Sequence, residues 1–316
     1  MKAVVLERYG NETDVLKWTE VAEPQPGPAD VLVEVHAAGF NPFDCKLRKG
    51  WLQRFYPFAF PKILGNDLAG VVIAKGPAVW GLEVGDRVYG MQETMRSGSY
   101  AERVAVNAAN VRRMPENLTF EEAASVPMVY ETAWVGLVDM ALTRPGELVL
   151  VQAASGGVGS AAVQLARVLG AHVAATCSGD AVEFVRSLGA SVVIDYRMAD
   201  FARLLANVDV VFDPIGGETN LKSYAVTRHG ARMVVVLRED KLEVENSARL
   251  GREHGVSRHV VVFEQRADVL DSIRPLFERG LLKPVVKTVL PMADAHEAHR
   301  AADAGHARGK VVFKVR

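Results

Sequence analysis

The chain has 316 residues, 49% hydrophobic and 24% charged, and this length exceeds the usual size of one hydrophobic core, which predicts two domains. Its 37 basic and 38 acidic residues nearly cancel, which argues against a nucleic-acid binder and against attachment to a membrane surface. The expected partner is a small molecule. The sequence shows no signal-peptide pattern and no apolar run of about 20 residues, so we expect a cytoplasmic protein.

The N-terminal part, up to about residue 120, consists of short apolar runs separated by glycine and proline turns. This pattern predicts a β-rich, barrel-like module. At residue 119 the pattern changes, because Thr119 and Glu122 have the spacing of a capping box ahead of an apolar run. We therefore expect a helix to begin there.

From residue 147 onward, short runs of Val, Leu and Ile alternate with helical patterns. The predicted strands are 148–152, 172–176, 191–196, 208–213, 231–237 and 258–263, and the predicted helices span about 158–169 and 181–188. Such alternation predicts a parallel, doubly wound sheet with helices on both faces. Beyond residue 268 we expect one more helix, then strands near 284–290 and 310–315 with a polar helix, 293–305, between them.

The segment from Ala153 to Gly159 joins a predicted strand to a predicted helix through a cluster of glycines. Gly156 and Gly159 occupy the second and third positions of the dinucleotide fingerprint, and Ala154 replaces the first glycine. Small residues let the backbone approach a pyrophosphate, which the N–H groups at the helix start then bind. The expected cofactor-binding residues are Ala154, Ser155, Gly156, Gly157, Val158 and Gly159, with Ser155 and Val158 as backbone donors. The alternative is a tight connection that binds nothing.

The end of the second strand bears on the choice between NADH and NADPH. Ser178 lies roughly where an NAD-specific site carries an acidic residue that bonds the ribose. A hydroxyl tolerates the 2′-phosphate that a carboxylate repels, which favours NADPH, and we interpret the nearby Asp180 as a helix N-cap. Tyr196 and Arg197 are further candidates for the phosphate, Arg197 through charge-assisted hydrogen bonds, with a solvated loop charge as the alternative for Arg197.

Four further motifs accompany the nucleotide turn: Asn41-Pro42 followed by Asp44, the run from Ile63 to Gly70, the run from Asp213 to Gly217, and the closing run from Gly305 to Val312. As an ordered set these motifs resemble the medium-chain dehydrogenase/reductase superfamily, specifically its zinc-independent quinone oxidoreductase branch. The resemblance implies an α/β protein with a GroES-like β-barrel catalytic domain at 1–122 and a doubly wound Rossmann domain at 123–268. It further implies a segment, 269–316, that returns to the catalytic domain, and a homodimer.

The sequence differs from the zinc alcohol dehydrogenases at the positions of the zinc ligands, and this difference narrows the range of reactions we expect. Those enzymes carry Gly-His-Glu where this chain has Gly65-Asn66-Asp67, and usually a four-cysteine loop, whereas this chain has only Cys45 and Cys177. Cys45 lies near the first ligand position but without a visible set of partners, and we expect both cysteines to be inert thiols. Without a Lewis acid, oxidation of a simple alcohol is difficult, so we expect reduction of quinones or of α,β-unsaturated carbonyls. The segment 127–134 resembles the alkenal/one reductase subgroup.

The resemblance also implies roles for single residues. It places Asn41 in the nicotinamide pocket, Thr132 against the ring or its carboxamide, and Phe263 near nicotinamide and substrate, with core packing as the alternative for Phe263.

Three more side chains are catalytic candidates besides Asn41. Arg48, Tyr56 and Tyr130 could polarise the substrate carbonyl or deliver a proton, because a guanidinium stabilises negative charge and a phenol can donate. Water is the alternative proton source, and a packed aromatic with its hydroxyl at the surface is the commoner role for a tyrosine in an apolar stretch such as that around Tyr56.

Two other functions stay open. A non-catalytic NADPH-binding sensor or structural protein would have the same fold, and a zinc alcohol dehydrogenase would require bound metal. His296 and His299 stand three apart on the polar helix near His306, but we interpret that helix as a solvated face and expect no metal site.

Overall fold

The structure, a computed structural model, describes residues 1–236, 241–262, 265–305 and 309–316. Within these ranges the strands are β1 Lys2–Leu6, β2 Leu16–Glu20, β3 Asp30–Phe40, β4 Lys62–Ile63, β5 Asp67–Lys75, β6 Arg87–Met91, β7 Arg103–Asn107, β8 Val111–Arg113, β9 Leu148–Val151, β10 His172–Cys177, β11 Val192–Asp195, β12 Val208–Asp213, β13 Thr227–Val235, β14 Ser257–Val260, β15 Val286–Pro291 and β16 Lys310–Lys314.

The helices of the same ranges are α1 Pro42–Arg48, α2 Phe120–Ala124, α3 Pro127–Trp134, α4 Gly157–Val168, α5 Val182–Ser187, α6 Gly217–Ser223, α7 Lys241–His254, α8 Ala267–Glu278 and α9 Ala295–Asp303. A π-helical turn at Val135–Met140 follows α3, and short 3-10 helices lie at Thr13–Val15, Ala108–Asn110, Gly179–Ala181, Phe201–Arg203, Tyr224–Val226 and Met292–Asp294. No helix among the described residues has the length and apolar character of a membrane span.

The chain divides into two compact units, Met1–Met128 with Gln265–Arg316, and Val129–Glu264. The first unit contains a three-stranded sheet in the order β2-β1-β4 and a seven-stranded sheet in the order β15-β16-β3-β5-β6-β8, with β7 paired to β3. The last strand, β16, runs antiparallel to β3 and pairs with the final four residues of β3. The functional division at residues 122 and 268 stays a proposal.

The second unit contains one parallel sheet in the order β11-β10-β9-β12-β13-β14. Counted within the unit, this is the 3-2-1-4-5-6 order of a doubly wound nucleotide-binding fold. The strand order reverses between β9 and β12. The predicted α/β fold with a doubly wound sheet is confirmed.

Local predictions from the sequence agree with these elements at several points. Helix α2 begins after Thr119, whose hydroxyl accepts the N–H of Glu122 while the Glu122 carboxylate accepts the N–H of Thr119. The predicted helix at 158–169 is α4, and the predicted helix at 268–280 is α8. The structure adds helices α1, α6 and α7, for which the apolar pattern gave no prediction. The predicted site residue Phe263 lies outside the described residues.

Helix α1 begins at a proline, and its third residue, Asp44, forms a capping box with the N-cap residue Asn41. The Oδ2 atom of Asp44 accepts the N–H of Asn41 at 2.9 Å and the hydroxyl of Tyr100 at 2.8 Å. Its Oδ1 atom has no hydrogen-bond partner among the described residues. Burial raises the pKa of Asp44 to about 6, against the opposing effect of these two hydrogen bonds and of the Lys310 charge.

We expect Asp44→Asn to change how stability depends on pH. Because the pKa of Asp44 is higher in the folded protein than its ordinary value of 3.8, the folded state binds the extra proton between these values and loses stability as the pH rises through about 6. Between pH 5 and pH 7.5 this loss is about 1 kcal/mol in the free energy of unfolding. The asparagine does not titrate, so the variant should gain that amount relative to wild type as the pH rises. Urea unfolding at pH 5, 6 and 7.5 measures the difference, and a constant difference would contradict the raised pKa.

Candidate functional site

The turn between β9 and α4 has the geometry of a dinucleotide cradle. It follows the carboxyl end of β9, beside the point of strand-order reversal where such sheets bind ligands. A Cβ atom on Gly159 would lie 2.2 Å from the carbonyl oxygen of Ala153, so only glycine lets α4 pack this close to the turn. A Cβ atom on Gly156 would lie 3.3 Å from the same carbonyl oxygen, which is a tight contact.

The backbone of this turn supplies donors. Helix α4 begins at Gly157, so the N–H groups of its first turn have no acceptor inside the helix and attract negative charge. Ala153 adopts a φ of 49°, which is uncommon for a residue with a side chain and indicates local strain. Ala154 is held by its N–H, which donates to the Thr176 carbonyl at 2.9 Å. The turn therefore fits the pyrophosphate of a dinucleotide, and the binding role of its six residues stays a prediction.

The structure brings the predicted ribose residues together. Ser178 directly follows β10, Tyr196 and Arg197 directly follow β11, and the two strands are parallel with Cys177 opposite Asp195. Tyr196 is exposed, and the Arg197 guanidinium lies over its ring at 5.9 Å from the centroid.

The interpretation of Asp180 as a helix N-cap was wrong. Asp180 lies inside the 3-10 helix Gly179–Ala181, and α5 begins only at Val182 without a side-chain cap. The Asp180 carboxylate instead accepts the hydroxyl of Ser178 at 2.8 Å. A second carboxylate, that of Asp195, lies 2.4 Å from where a Cβ atom on Gly179 would be. Arg197 thus places a positive charge at the carboxyl ends of β10 and β11, beside the acidic residues Asp180 and Asp195.

In the other unit, three buried polar side chains meet at one end of adjacent strands. Asn41 follows β3, Asp67 begins β5 and Lys310 begins β16. The Lys310 ammonium lies 2.5 Å from both Asn41 Oδ1 and Asp67 Oδ2, and Asn41 Nδ2 donates to Asp67 Oδ2 at 3.0 Å. The other Asp67 oxygen accepts the N–H of Met128 at 2.9 Å.

A glycine on β3 makes room for this group. Gly39 pairs with Asp67 across the sheet, and a Cβ atom on Gly39 would lie 2.9 Å from Asp67 Oδ2 and 2.4 Å from the Ala124 carbonyl oxygen. Only glycine fits between β5 and the end of α2.

The residues at the zinc-ligand positions do not fit a zinc ion. The Asn66 side chain donates to the Gln92 carbonyl and to Thr94 Oγ1, and Asp67 is paired with Lys310. Cys45 is buried with its Sγ 3.4 Å from His299 Nδ1, and burial raises the pKa of its thiol to about 12. Across the described ranges no group of three His, Cys, Asp or Glu side chains is placed to hold a metal.

The catalytic candidate Arg48 is fully buried. Its Nη1 donates to the carbonyls of Gly10, Asn11 and Glu12, its Nη2 to Asp303, and its Nε to His299 Nδ1 at 3.3 Å. These hydrogen bonds connect α1 to α9 and to the N-terminal loop. They occupy the guanidinium, so it is not available to polarise a substrate carbonyl.

The description of α9 as a solvated face was wrong for His299. This side chain is fully buried and packs edge-on against Phe40 at 5.0 Å between ring centroids, because the amphipathic α9 turns it inward. Burial lowers the pKa of His299 to about 3, helped by the Arg48 charge, so the imidazole is neutral at physiological pH.

The remaining candidate side chains differ in how far they are exposed to solvent. Tyr130 is buried on α3, its hydroxyl lies 3.0 Å from Gln164 Nε2, and burial raises its pKa, which opposes deprotonation. Thr132 is buried on the same helix. Tyr56 is half-buried and packs edge-on against Phe43 at 5.4 Å, and it is the better placed of the two phenols to exchange a proton with solvent.

Lys310 is the residue that the motifs did not single out. It stood in the sequence only as part of the closing run, and its partner Asp67 is 243 residues away. No local pattern links the two positions.

Comparisons with known proteins agree with this geometry. Residues 27–116 match the alcohol dehydrogenase GroES-like domain, and residues 188–313 match the zinc-binding dehydrogenase family. The chain is 37% identical to the chloroplastic NADPH-dependent alkenal/one oxidoreductase of Arabidopsis thaliana, over 99% of this chain and 79% of that protein. It is 33% identical to the mitochondrial NAD(P)H oxidoreductase RTN4IP1 of Danio rerio, over 100% of this chain and 91% of that protein.

Among solved structures, the quinone oxidoreductase of Coxiella burnetii superposes with a TM-score of 0.90 at 30% identity, covering 100% of this chain and 99% of that one. The likeness extends over both units and includes the nucleotide turn. The chain belongs to the medium-chain dehydrogenase/reductase superfamily, in its quinone oxidoreductase-like branch.

Proposed function

We propose that this chain catalyses NADPH-dependent reduction of quinones or α,β-unsaturated carbonyls without zinc. The ion pair between Lys310 and Asp67 carries the proposal, because it occupies the stretch at which zinc dehydrogenases keep a metal ligand. With no Lewis acid at that position, the acceptor itself must be electron-poor, as a quinone or an enone is. The names of the Arabidopsis relative and of the Coxiella structure support the same acceptor class.

Within this proposal the chain's residues bind and orient the two partners. NADPH, when bound, supplies the hydride, and the acceptor oxygen gains negative charge. The turn from Ala154 to Gly159 binds the pyrophosphate, and Tyr196 and Arg197 bind the ribose phosphate. Ser178 joins them when its hydroxyl turns from Asp180 to the phosphate. The family resemblance assigns Asn41 and Thr132 to the nicotinamide, and Tyr56 is the candidate proton donor. The resemblance also supports a homodimer, and a cytoplasmic location stays a prediction.

The first test is turnover by the metal-free protein. After dialysis against EDTA, with zinc content measured by mass spectrometry, NADPH oxidation is followed with 9,10-phenanthrenequinone and with a short 2-alkenal. We expect turnover to be unchanged by chelation. Loss on chelation that zinc restores would indicate a zinc dehydrogenase, and NADPH binding without turnover of either acceptor would indicate a sensor.

The second test concerns the ribose phosphate. Arg197→Ala should raise the KM for NADPH about tenfold or more and leave that for NADH nearly unchanged, because a charge-assisted hydrogen bond contributes about 1.5–3 kcal/mol. Arg186→Ala is the matched control, since Arg186 is exposed and pairs with Glu183 on the same helix turn. Equal effects on the two nucleotides, or a wild type that prefers NADH, would contradict the phosphate site.

The third test concerns the proton. Tyr56→Phe keeps the ring that packs on Phe43 and removes only the hydroxyl. If Tyr56 is the general acid, kcat with the alkenal should fall by about 100-fold, at an unchanged melting temperature. A variant with the activity and the solvent isotope effect of wild type would point to water as the donor.

A further inference from the structure

The side-chain amide of Asn41 is held between two opposite charges. Asn41, Asp67 and Lys310 are each at most 3% exposed, and they come from three adjacent strands of the seven-stranded sheet. The pairing of Val311 with Phe40 and of Asp67 with Gly39 places all three at the same end of those strands. Their meeting is therefore built into the register of the sheet.

The charges determine which way the amide points. Its oxygen accepts from the Lys310 ammonium, and its nitrogen donates to the Asp67 carboxylate. Turning the amide over would set its N–H groups against the ammonium and its oxygen against the carboxylate, replacing two charge-assisted hydrogen bonds by two repulsive contacts. Within the described ranges, the second N–H of Asn41 Nδ2 has no partner.

We propose that Lys310 is a positioning residue, which acts with Asp67 to fix the Asn41 amide so that it presents an N–H donor, and no acceptor, to the reacting partners. The catalytic part of this inference rests on the proposed function, in which Asn41 lies at the nicotinamide. A fixed donor suits an oxygen that carries negative charge or gains it during hydride transfer, because a preorganised donor needs no reorientation as charge develops. The inference therefore favours acceptors that present a carbonyl oxygen there.

The plainer reading is that the ion pair only holds β16 against the rest of the sheet. Removing one member of a buried pair leaves an uncompensated charge and is strongly destabilising, whereas replacing both members is often tolerated. A paired replacement therefore separates orientation of the amide from folding. Asp67→Asn with Lys310→Met removes both charges at nearly constant volume. The Met128 N–H would still bond the new side-chain oxygen at position 67, so the new amide nitrogen would face Asn41 and could no longer accept its N–H.

The first measurement needs no turnover. In protein labelled with 15N-asparagine, with the Asn41 side-chain signal assigned from Asn41→Ala, we expect the wild-type Nδ2 hydrogen that Asp67 accepts to exchange slowly with solvent. In the paired variant it should exchange at least tenfold faster at a similar melting temperature. Unchanged protection in a folded paired variant would overturn the inference. The single variant Lys310→Met serves only to compare stability.

The second measurement is a double-mutant cycle on kcat with whichever acceptor wild type reduces faster. The paired variant should lose about 10- to 100-fold in kcat, a loss typical of a misplaced group, while its KM for NADPH stays within about threefold of wild type. In an Asn41→Ala background the same replacement should cost less than about twofold, because its effect passes through Asn41. Equal losses in both backgrounds, or no loss, would overturn the inference. If wild type reduces no acceptor, the proposed function fails, and the exchange measurement alone decides whether the Asp67–Lys310 pair fixes the amide.

Discussion

The charge of the Asp67 carboxylate is fully buried, and the groups around it are arranged to compensate it. One oxygen accepts the first-turn N–H of Met128 on α3, and the other faces Asn41 and Lys310. Gly39 leaves the space that the carboxylate needs. Since each compensating group belongs to a different element, the carboxylate fixes where β3, β16 and the start of α3 meet β5.

The second unit depends on a different constraint, the close approach of a strand end to a helix start. Gly159 allows this approach, and the turn accepts strain at Ala153 to complete it. The result is a set of N–H groups with no internal acceptor, positioned where the strand order reverses. Here the site is made of backbone, whereas the group around Asp67 is made of side chains.

This difference explains how much could be predicted from the sequence. The nucleotide turn and the Thr119–Glu122 capping box are local, so their residues carry the signal within a few positions, and the alternating apolar runs predicted the doubly wound sheet. The network around Asp67 depends on strand register across 243 residues, which no local pattern encodes. Asp180 was misassigned because a short 3-10 helix delays the start of α5. His299 was misassigned because the sequence of α9 is polar overall, although its buried face carries His299 together with Ala295 and Ala298. The candidates beyond these, Asn41 above all, rest on the family resemblance.

The ammonium of Lys310 also separates the site of this chain from a zinc site by more than the identity of one ligand. A histidine in place of Asn66 would restore one ligand type, but the arriving dication would meet a fixed positive charge already bound to Asp67. Removing Lys310 first would instead leave a buried carboxylate without its cation. Either single step passes through a protein that binds no metal well or folds less stably, so the two kinds of site are separated by more than their visible ligands.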